Sequence, residues 1–434
     1  LSRCRELEDL SFEDCQLIPC HAWEHVNSGT WPSLRRCLGV PEHVQVLPTK
    51  PKTSVNTQGG KLQESAWTSK QLLSAIMPGR FASKKNESPE VLRALRPCCD
   101  LEDLNLSRCQ AIPVFAWREL CEAQQWTKLK RVNFALCFDE RSKDADGSVE
   151  LLEVLSRCNG LEDLNLNSCW EIPTVAWEKL RLAQWTKLKR AHFARCFCDR
   201  TKGAKAAAVL LKALCSCRDL EDLNLSWCPR IPSAAWKEVR WAQWEKLKKV
   251  DFEWSFLSGS EGAQGSDALL EALSRCGNLE ELWLYWCVEI PSNAWEKIRS
   301  ARWTKLKKAE FGWCFSEATK GADGAAALLQ ALSRCDNLED LYMRCGWKIP
   351  SIGWEELSSA QSTKMKRVSF IKCFTENTNG ADGAATLLQA LSHAEDLEEL
   401  KLEDCPQIPN SAWKALPPHV WPRLKNRPDQ LCKV

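Results

Sequence analysis

The chain has 434 residues, 44% hydrophobic and 27% charged, which is the composition of a folded protein and not of a disordered one. Lysine and arginine number 59 against 57 aspartates and glutamates, a near balance that argues against a strongly basic nucleic-acid binder. No apolar run reaches the roughly 18 residues that a membrane span needs, and no signal segment stands at the start.

A short phrase near the start, Leu-Glu-Asp-Leu-Ser-Phe at residues 7–12, is the first copy of a repeat. The segment 40–89 then departs from the pattern, with scattered prolines and the pair Gly59-Gly60. We interpret 40–89 as an irregular insertion or a degenerate repeat unit, and predict a helix from Lys61 to Met77 within it.

Residues 90–416 form regular double repeats of about 59 residues, which predicts a stack of strand–helix units sharing one core. The phrase Leu-Glu-Asp-Leu-Asn-Leu or a variant begins at Leu101, Leu161, Leu220, Leu279, Leu338 and Leu397.

Each double repeat contains two units. In the first, the alternation around Leu164 predicts a short strand, Cys169 marks an inward turn, and Pro173 suits the first turn of a helix. The second unit begins at Leu188, 27 residues after Leu161, and runs into an alanine- and leucine-rich helix. A further unit starts at residues 421–424 without finishing. We therefore expect one solenoid over 1–434 that is a fragment of a longer protein.

The phrase LxxLxLxxC followed by a helix resembles the leucine-rich repeat. The first unit is similar to the cysteine-containing subclass, and the second, with Gly321-Ala322-Asp323-Gly324 before its helix, to the ribonuclease-inhibitor-like subclass. The resemblance implies an α/β fold, a curved solenoid with a parallel concave sheet and convex helices, and a general role in protein binding.

Alternate strand residues should face the concave surface. The first such position alternates in charge from unit to unit, and we call these eleven residues the charge column: Asp103, Arg131, Asp163, Arg190, Asp222, Lys249, Glu281, Lys308, Asp340, Arg367 and Glu399. Opposite charges on neighbouring strands predict a structural ladder of ion pairs, with direct partner contact as the alternative.

The other concave positions change from small or neutral residues to large aromatic and charged ones towards the C-terminal half. Because tryptophan, tyrosine and arginine dominate binding hot spots, we predict a partner-binding site here. Its residues are Trp283, Tyr285, Tyr342, Arg344, Glu253 and Glu310. The alternative is that these aromatic residues carry no function or pack on a neighbouring segment.

Several residue groups resemble chemical sites, but repeat packing explains them better. Six tryptophans at one helix position, such as Trp177, are expected in the core. Cys15, Cys20, His21 and His25 match no common zinc spacing, so we predict no metal. The cysteines at fixed repeat positions are expected to be free, buried thiols in a reducing compartment. Cys198 and Cys215 are additional to that pattern and have no explanation from it.

These observations favour a tryptophan-rich protein-interaction scaffold that binds an unknown protein partner on its concave face. The alternative is the substrate-recognition subunit of a ubiquitin ligase, which would need an F-box-like segment upstream. No nucleophile, phosphate-binding or dinucleotide motif is present, so we expect no enzyme activity, no cofactor and no small-molecule substrate. We also expect no nucleic-acid or membrane partner, and a cytoplasmic location.

Overall fold

The structure of the protein is a computed structural model. It describes residues 101–122, 126–142, 145–358, 364–376, 378, 382–417 and 419–425, with the backbone of three short strands further upstream. The four residues considered for zinc, Cys15, Cys20, His21 and His25, lie outside the described residues, as does most of the segment 40–89.

Fourteen strands of three residues each are described, and every pairing between them is parallel. They are β1 Asp9–Ser11, β2 Arg36–Leu38, β3 Ser74–Ile76, β4 Asp103–Asn105, β5 Arg131–Asn133, β6 Asp163–Asn165, β7 Arg190–His192, β8 Asp222–Asn224, β9 Lys249–Asp251, β10 Glu281–Trp283, β11 Lys308–Glu310, β12 Asp340–Tyr342, β13 Arg367–Ser369 and β14 Glu399–Lys401. β3 to β14 form one sheet in chain order, while β1 pairs with β2. This is the predicted solenoid, with one strand for each unit.

Helices follow the strands on the opposite, convex side of the sheet. Those of the first-type units are α1 Val114–Glu122, α3 Thr174–Glu178, α5 Ser233–Glu238, α7 Ser292–Trp295, α9 Ser351–Ser358 and α11 Asn410–Lys414. Those of the second-type units are α2 Gly147–Ser156, α4 Ala207–Cys215, α6 Ser266–Ser274, α8 Ala325–Leu332 and α10 Gly383–Leu391. Short 3₁₀ turns extend several of them, at Lys179–Leu182, Ala204–Ala206, Val239–Trp241, Ala263–Gly265, Glu296–Ile298 and Ala322–Gly324.

The core lies between sheet and helices, and its largest members are the tryptophans that recur at one helix position. Trp177 is fully buried, and its indole contacts the rings of Phe193 and Phe197 with centroids 6.1 and 5.1 Å apart. The other five tryptophans at this position are 4% exposed or less, which confirms that they form the core. They are Trp117, Trp236, Trp295, Trp354 and Trp413. Replacing a buried tryptophan of this kind with alanine lowers the free energy of unfolding by about 3–5 kcal/mol.

A second set of tryptophans, at the start of the second-type units, forms hydrogen bonds to the preceding double repeat. The indole N–H of Trp185 donates a hydrogen bond to the backbone carbonyl of Leu155, 2.9 Å away, at the end of α2. The same bond recurs, at 2.7 to 3.0 Å, from Trp244, Trp303 and Trp421 to the ends of the equivalent helices. Each of these carbonyls also accepts a backbone N–H, as Leu155 does from Cys158 at 3.1 Å, so the indole supplies its second hydrogen bond.

The recurrent cysteines of the described residues are buried thiols, apart from the partly exposed Cys405. The S–H groups of those that follow the second-type strands donate to backbone carbonyls of the adjacent unit. Cys196 lies 2.9 Å from the carbonyl oxygen of Leu166, and Cys314 lies 2.8 Å from that of Leu284. At the equivalent place Ser255 donates to the carbonyl of Leu225 over 2.7 Å. A small donor is therefore what this position requires.

Two local predictions need correction. Ser74–Ile76 is a strand that pairs with β4, not the end of a helix from Lys61 to Met77. The alternation of apolar residues there was too short to separate the two periods. Pro173 does not lie inside α3 but caps it from the preceding position with an extended backbone, ψ 159°. The domain boundaries 40–89 and 90–416 stay a prediction.

Candidate functional site

The charge column has the register that the sequence predicted. Asp103, Arg131 and Asp163 face one another on β4, β5 and β6, and the alternation continues strand by strand to Glu399 on β14. Ion pairs join several neighbours, among them Arg190 with Asp163 at 2.8 Å. These ion pairs join neighbouring units, as expected for a structural ladder.

A second row of ion pairs runs beside the column, one residue before the strands. Glu162 and Lys189 lie 2.8 Å apart, and Glu221 and Lys248 lie 2.7 Å apart. The bond to Lys189 lowers the pKa of Glu162 below its usual value. Because these side chains reach solvent, each pair contributes less than about 1 kcal/mol to folding. Both rows serve the stacking of the units.

The predicted site residues lie on four adjacent strands, β9 to β12, or two residues beyond them. Trp283 is the last residue of β10 and stands in register between Asp251 of β9 and Glu310 of β11. Glu310 is in turn opposite Tyr342 on β12. Tyr285 and Tyr342 are the only two tyrosines of the chain.

Three of these residues form one contact group, which we call the arginine cluster: Tyr285, Glu310 and Arg344. The guanidinium of Arg344 lies over the ring of Tyr285, 5.7 Å from its centroid, and donates to Glu310 Oε2 over 3.2 Å. The other carboxylate oxygen of Glu310 accepts from the backbone N–H of Gly312 at 2.8 Å. A side chain at Gly312 would collide with both Tyr285 and Glu310, so glycine leaves the room that this cluster needs.

The expected exposure is wrong at several positions of this face. Glu310 is only 4% exposed, because Arg344 and the neighbouring strands cover it, and Ser369 and Asp340 are also buried. Tyr342 lies outside the arginine cluster; burial and the charge of Asp340 raise the pKa of its hydroxyl group, and Arg367 of the charge column opposes this. Position on a strand predicted the face correctly but not the covering by neighbouring side chains.

Glu253, just beyond β9, differs from the other carboxylates of this surface. No hydrogen bond or ion pair joins its carboxylate to another residue in the described part of the chain. Burial raises its pKa from 4.5 to about 7, and the negative charges of Asp251 and Glu310 add to this, while Arg344 opposes it. Burial likewise raises the pKa of Asp251 and of Glu310. Perturbed carboxylates of this kind are typical of functional sites.

Beside these strands stand four tryptophans that sequence reasoning missed, which we call the tryptophan stack: Trp227, Trp254, Trp286 and Trp313. Their indoles are stacked, with centroids 4.5, 4.7 and 4.2 Å apart, and the ring of Tyr285 lies 5.8 Å from that of Trp254. The guanidinium of Arg195 covers the outer face of Trp227 at 4.8 Å.

A left-handed backbone turn places these indoles above one another. Each of the four has φ between 58° and 66°, as do the equivalent residues of the other units, such as Ser168. The N–H of Trp254 bonds to the carbonyl of Tyr285 at 2.9 Å, which extends the sheet pairing beyond the strands. The signal was available in the sequence: in four successive units a tryptophan directly precedes the repeat cysteine or its serine substitute, as in Trp227-Cys228 and Trp254-Ser255.

Other kinds of site find little support in the described ranges. No group of three or more His, Cys, Asp or Glu side chains there is arranged to hold a metal ion. The cysteines described are free thiols, and burial raises the pKa of Cys215 to about 12. Cys198 is the more accessible of the two extra cysteines. None of the helices described has the length and apolarity that crossing a bilayer requires.

Comparison with known proteins gives a sequence relative and a weak structural match. F-box/LRR-repeat protein 4 of Bos taurus is 32% identical over 153 residues, which are 35% of this chain and 22% of that protein, so the matched part spans about a fifth of the relative. The structure of a complex of Rad7 and Elc1 from yeast aligns with 78% of this chain and 83% of its own at 14% identity and a TM-score of 0.42. No family model matches the sequence. The periodic Leu-x-x-Leu-x-Leu phrase, with one parallel strand for each copy, and the similarity to a protein with the same repeat identify the chain as a leucine-rich-repeat protein.

Proposed function

We propose that this chain is a non-catalytic interaction module that binds a partner protein on its concave face, between β9 and β12. The observation that carries the proposal is the concentration there of large amphipathic side chains. Both tyrosines, Trp283 and Arg344 share a surface whose equivalent positions in earlier units hold small or neutral residues such as Asn165. Side chains of this kind supply most of the energy of protein interfaces.

The arginine cluster would act as a preorganised part of such a surface. Arg344 is held by Tyr285 and by the buried carboxylate of Glu310, so little side-chain entropy remains to be lost when a partner covers it. We also propose a cytoplasmic location, supported by the many free thiols of the described residues, which a reducing compartment would preserve.

The test is affinity capture from cell extract with the wild-type chain and a variant carrying Trp283→Ala, Tyr285→Ala, Tyr342→Ala and Arg344→Ala. A matched control carries Trp241→Ala and Leu182→Ala, which remove large exposed side chains from the outer surface. We expect the concave variant to lose a specific protein that the control retains, with equal circular dichroism for all three. Equal capture by the concave variant and the wild type would contradict the proposal.

A second candidate is the substrate-recognition subunit of a ubiquitin ligase, favoured by the similarity to a protein named for an F-box and the same repeat. In this case the captured protein would be a substrate. Its ubiquitination should fall when the full-length protein is depleted and return with the wild type but not with the concave variant. Unchanged ubiquitination would leave the scaffold as the better description.

A further inference from the structure

The ring of Trp283 belongs to neither the arginine cluster nor the tryptophan stack. In the described part of the chain it makes no ring contact with another aromatic side chain. It lines a depression of about 330 Å³ at the concave surface, here called the Trp283 pocket. Its other lining residues are Asp222, Lys249, Val250, Asp251, Glu253 and Glu281. An aromatic side chain therefore stands among four carboxylates and a single ammonium group.

Three of the four carboxylates already have partners. Glu281 holds the ammonium of Lys249 at 3.0 Å, and Asp222 lies 3.4 Å from the imidazole of His192. Asp251 accepts hydrogen bonds from the side-chain amide of Asn224 and from a backbone N–H, both at 3.0 Å. The remaining carboxylate, Glu253, has no partner among the described residues. The pocket thus keeps an excess of negative charge beside an aromatic ring.

Two other aromatic rings of this chain show which group suits such surroundings. At the arginine cluster, an arginine lies on the ring of Tyr285 and pairs with Glu310. At the end of the tryptophan stack, Arg195 lies on the ring of Trp227. Trp283 and Glu253 offer the same two features, an aromatic ring and a carboxylate, without an arginine from this chain.

We propose that the Trp283 pocket receives an arginine side chain from an exposed basic segment of the partner protein. The planar guanidinium stacks on the indole of Trp283 while its N–H groups pair with the carboxylate of Glu253. Arginine suits this place better than lysine, because its guanidinium is more weakly hydrated and stacks on aromatic faces. Four carboxylates repel phosphate, which disfavours a nucleic acid as the occupant. The inference rests on the proposed function and specifies the chemistry of the partner.

Protonation of Glu253 adds a pH dependence. With a pKa of about 7, this carboxyl group is partly protonated near neutral pH, and an entering guanidinium favours its ionised form. The charged groups that act on it are Asp251, Glu310 and Arg344, with Asp222 also at the pocket. Binding should therefore strengthen as pH rises through about 7 and should release protons there.

The experiment is calorimetric titration of the whole chain with a synthetic peptide of alternating arginine and glycine. Peptides with lysine or with uncharged citrulline at the same positions serve as comparisons, together with a single-stranded oligonucleotide. We expect the arginine peptide to bind most tightly and the citrulline peptide to bind at least about tenfold more weakly. Glu253→Gln and Trp283→Leu should each lower the affinity for the arginine peptide by about tenfold, and Glu253→Gln should abolish the pH dependence of binding.

The matched controls are Glu178→Gln and Trp241→Leu, which change exposed residues on the convex side. Equal binding of the arginine and citrulline peptides, equal losses in the controls, or preference for the oligonucleotide would overturn the inference. The proposed function fails separately. One outcome would leave the proposed function standing and contradict only this inference. In it, the variant with four concave substitutions loses its captured protein, Glu253→Gln keeps it, and the arginine peptide does not bind. If all variants capture alike, the function itself is wrong.

Discussion

The carboxylate of Glu253 should destabilise the fold at neutral and higher pH, so Glu253→Gln is expected to stabilise the protein there. Burial raises the pKa of this group from 4.5 to about 7. A change of one in pKa corresponds to about 1.4 kcal/mol, so the raised pKa sets an upper bound of about 3 kcal/mol on the loss of folding stability. Because the side chain is only half-buried, screening by solvent reduces this to about 1 kcal/mol.

The sign and the pH window follow from the direction of the shift. A raised pKa in the folded state means that the fold disfavours the ionised carboxylate, so the cost is absent well below 4.5 and grows as pH rises. This cost is nearly complete above about pH 7. The gain from Glu253→Gln should therefore be full at about pH 8 and only about a quarter of that at about pH 5.

Urea unfolding followed by circular dichroism measures this effect. The midpoint of the Glu253→Gln variant should exceed that of the wild type at about pH 8 and approach it at about pH 5. Glu178→Gln, at an exposed position of α3, is the control and should leave the midpoint unchanged at both values. A lower midpoint for Glu253→Gln at about pH 8, or a shift independent of pH, would refute the reasoning, since it would mean that the ionised carboxylate has a stabilising partner.

Three further predictions concern the repeat itself. Gly262→Ala would place a Cβ 2.5 Å from Nε1 of Trp236, so we expect a loss of about 1–3 kcal/mol in thermal or urea unfolding; Gly277→Ala, with no atom within 4 Å, should be nearly neutral. Cys314→Ser keeps the donor to a carbonyl 2.8 Å away and should cost less than Cys314→Val, which leaves that buried carbonyl unpaired at about 1–3 kcal/mol; the reverse order would count against the thiol bond. Glu162→Gln should lower the free energy of unfolding by less than about 1 kcal/mol. This loss should disappear as pH falls through the lowered pKa of the carboxyl group, and it should shrink in high salt.

The sequence predicted those features of the fold that repeat. The interval between copies located the strands, and the alternation of charge gave the register that places Lys249 opposite Glu281. The helix expected up to Met77 was wrong because a single short segment without repeated copies carries too weak a periodic signal.

The candidate site was harder to predict, because it depends on contacts between side chains of different units. Strand position placed Glu310 on the concave face, but its burial results from the arrangement of Arg344 and Gly312 around it. The tryptophan stack escaped notice because Trp254 and its equivalents lie beyond the strand, where a left-handed turn and not strand alternation sets the direction of the side chain.

The central claim is that the partner binds at the concave face near β10, and photo-crosslinking tests it most directly. A photoreactive amino acid replaces Trp283 in one preparation and Trp241, on the outer surface, in a second. We expect the substitution at Trp283 to give a specific crosslink to a protein in cell extract, and the substitution at Trp241 to give none. Crosslinking of the same protein from Trp241, with none from Trp283, would contradict the account.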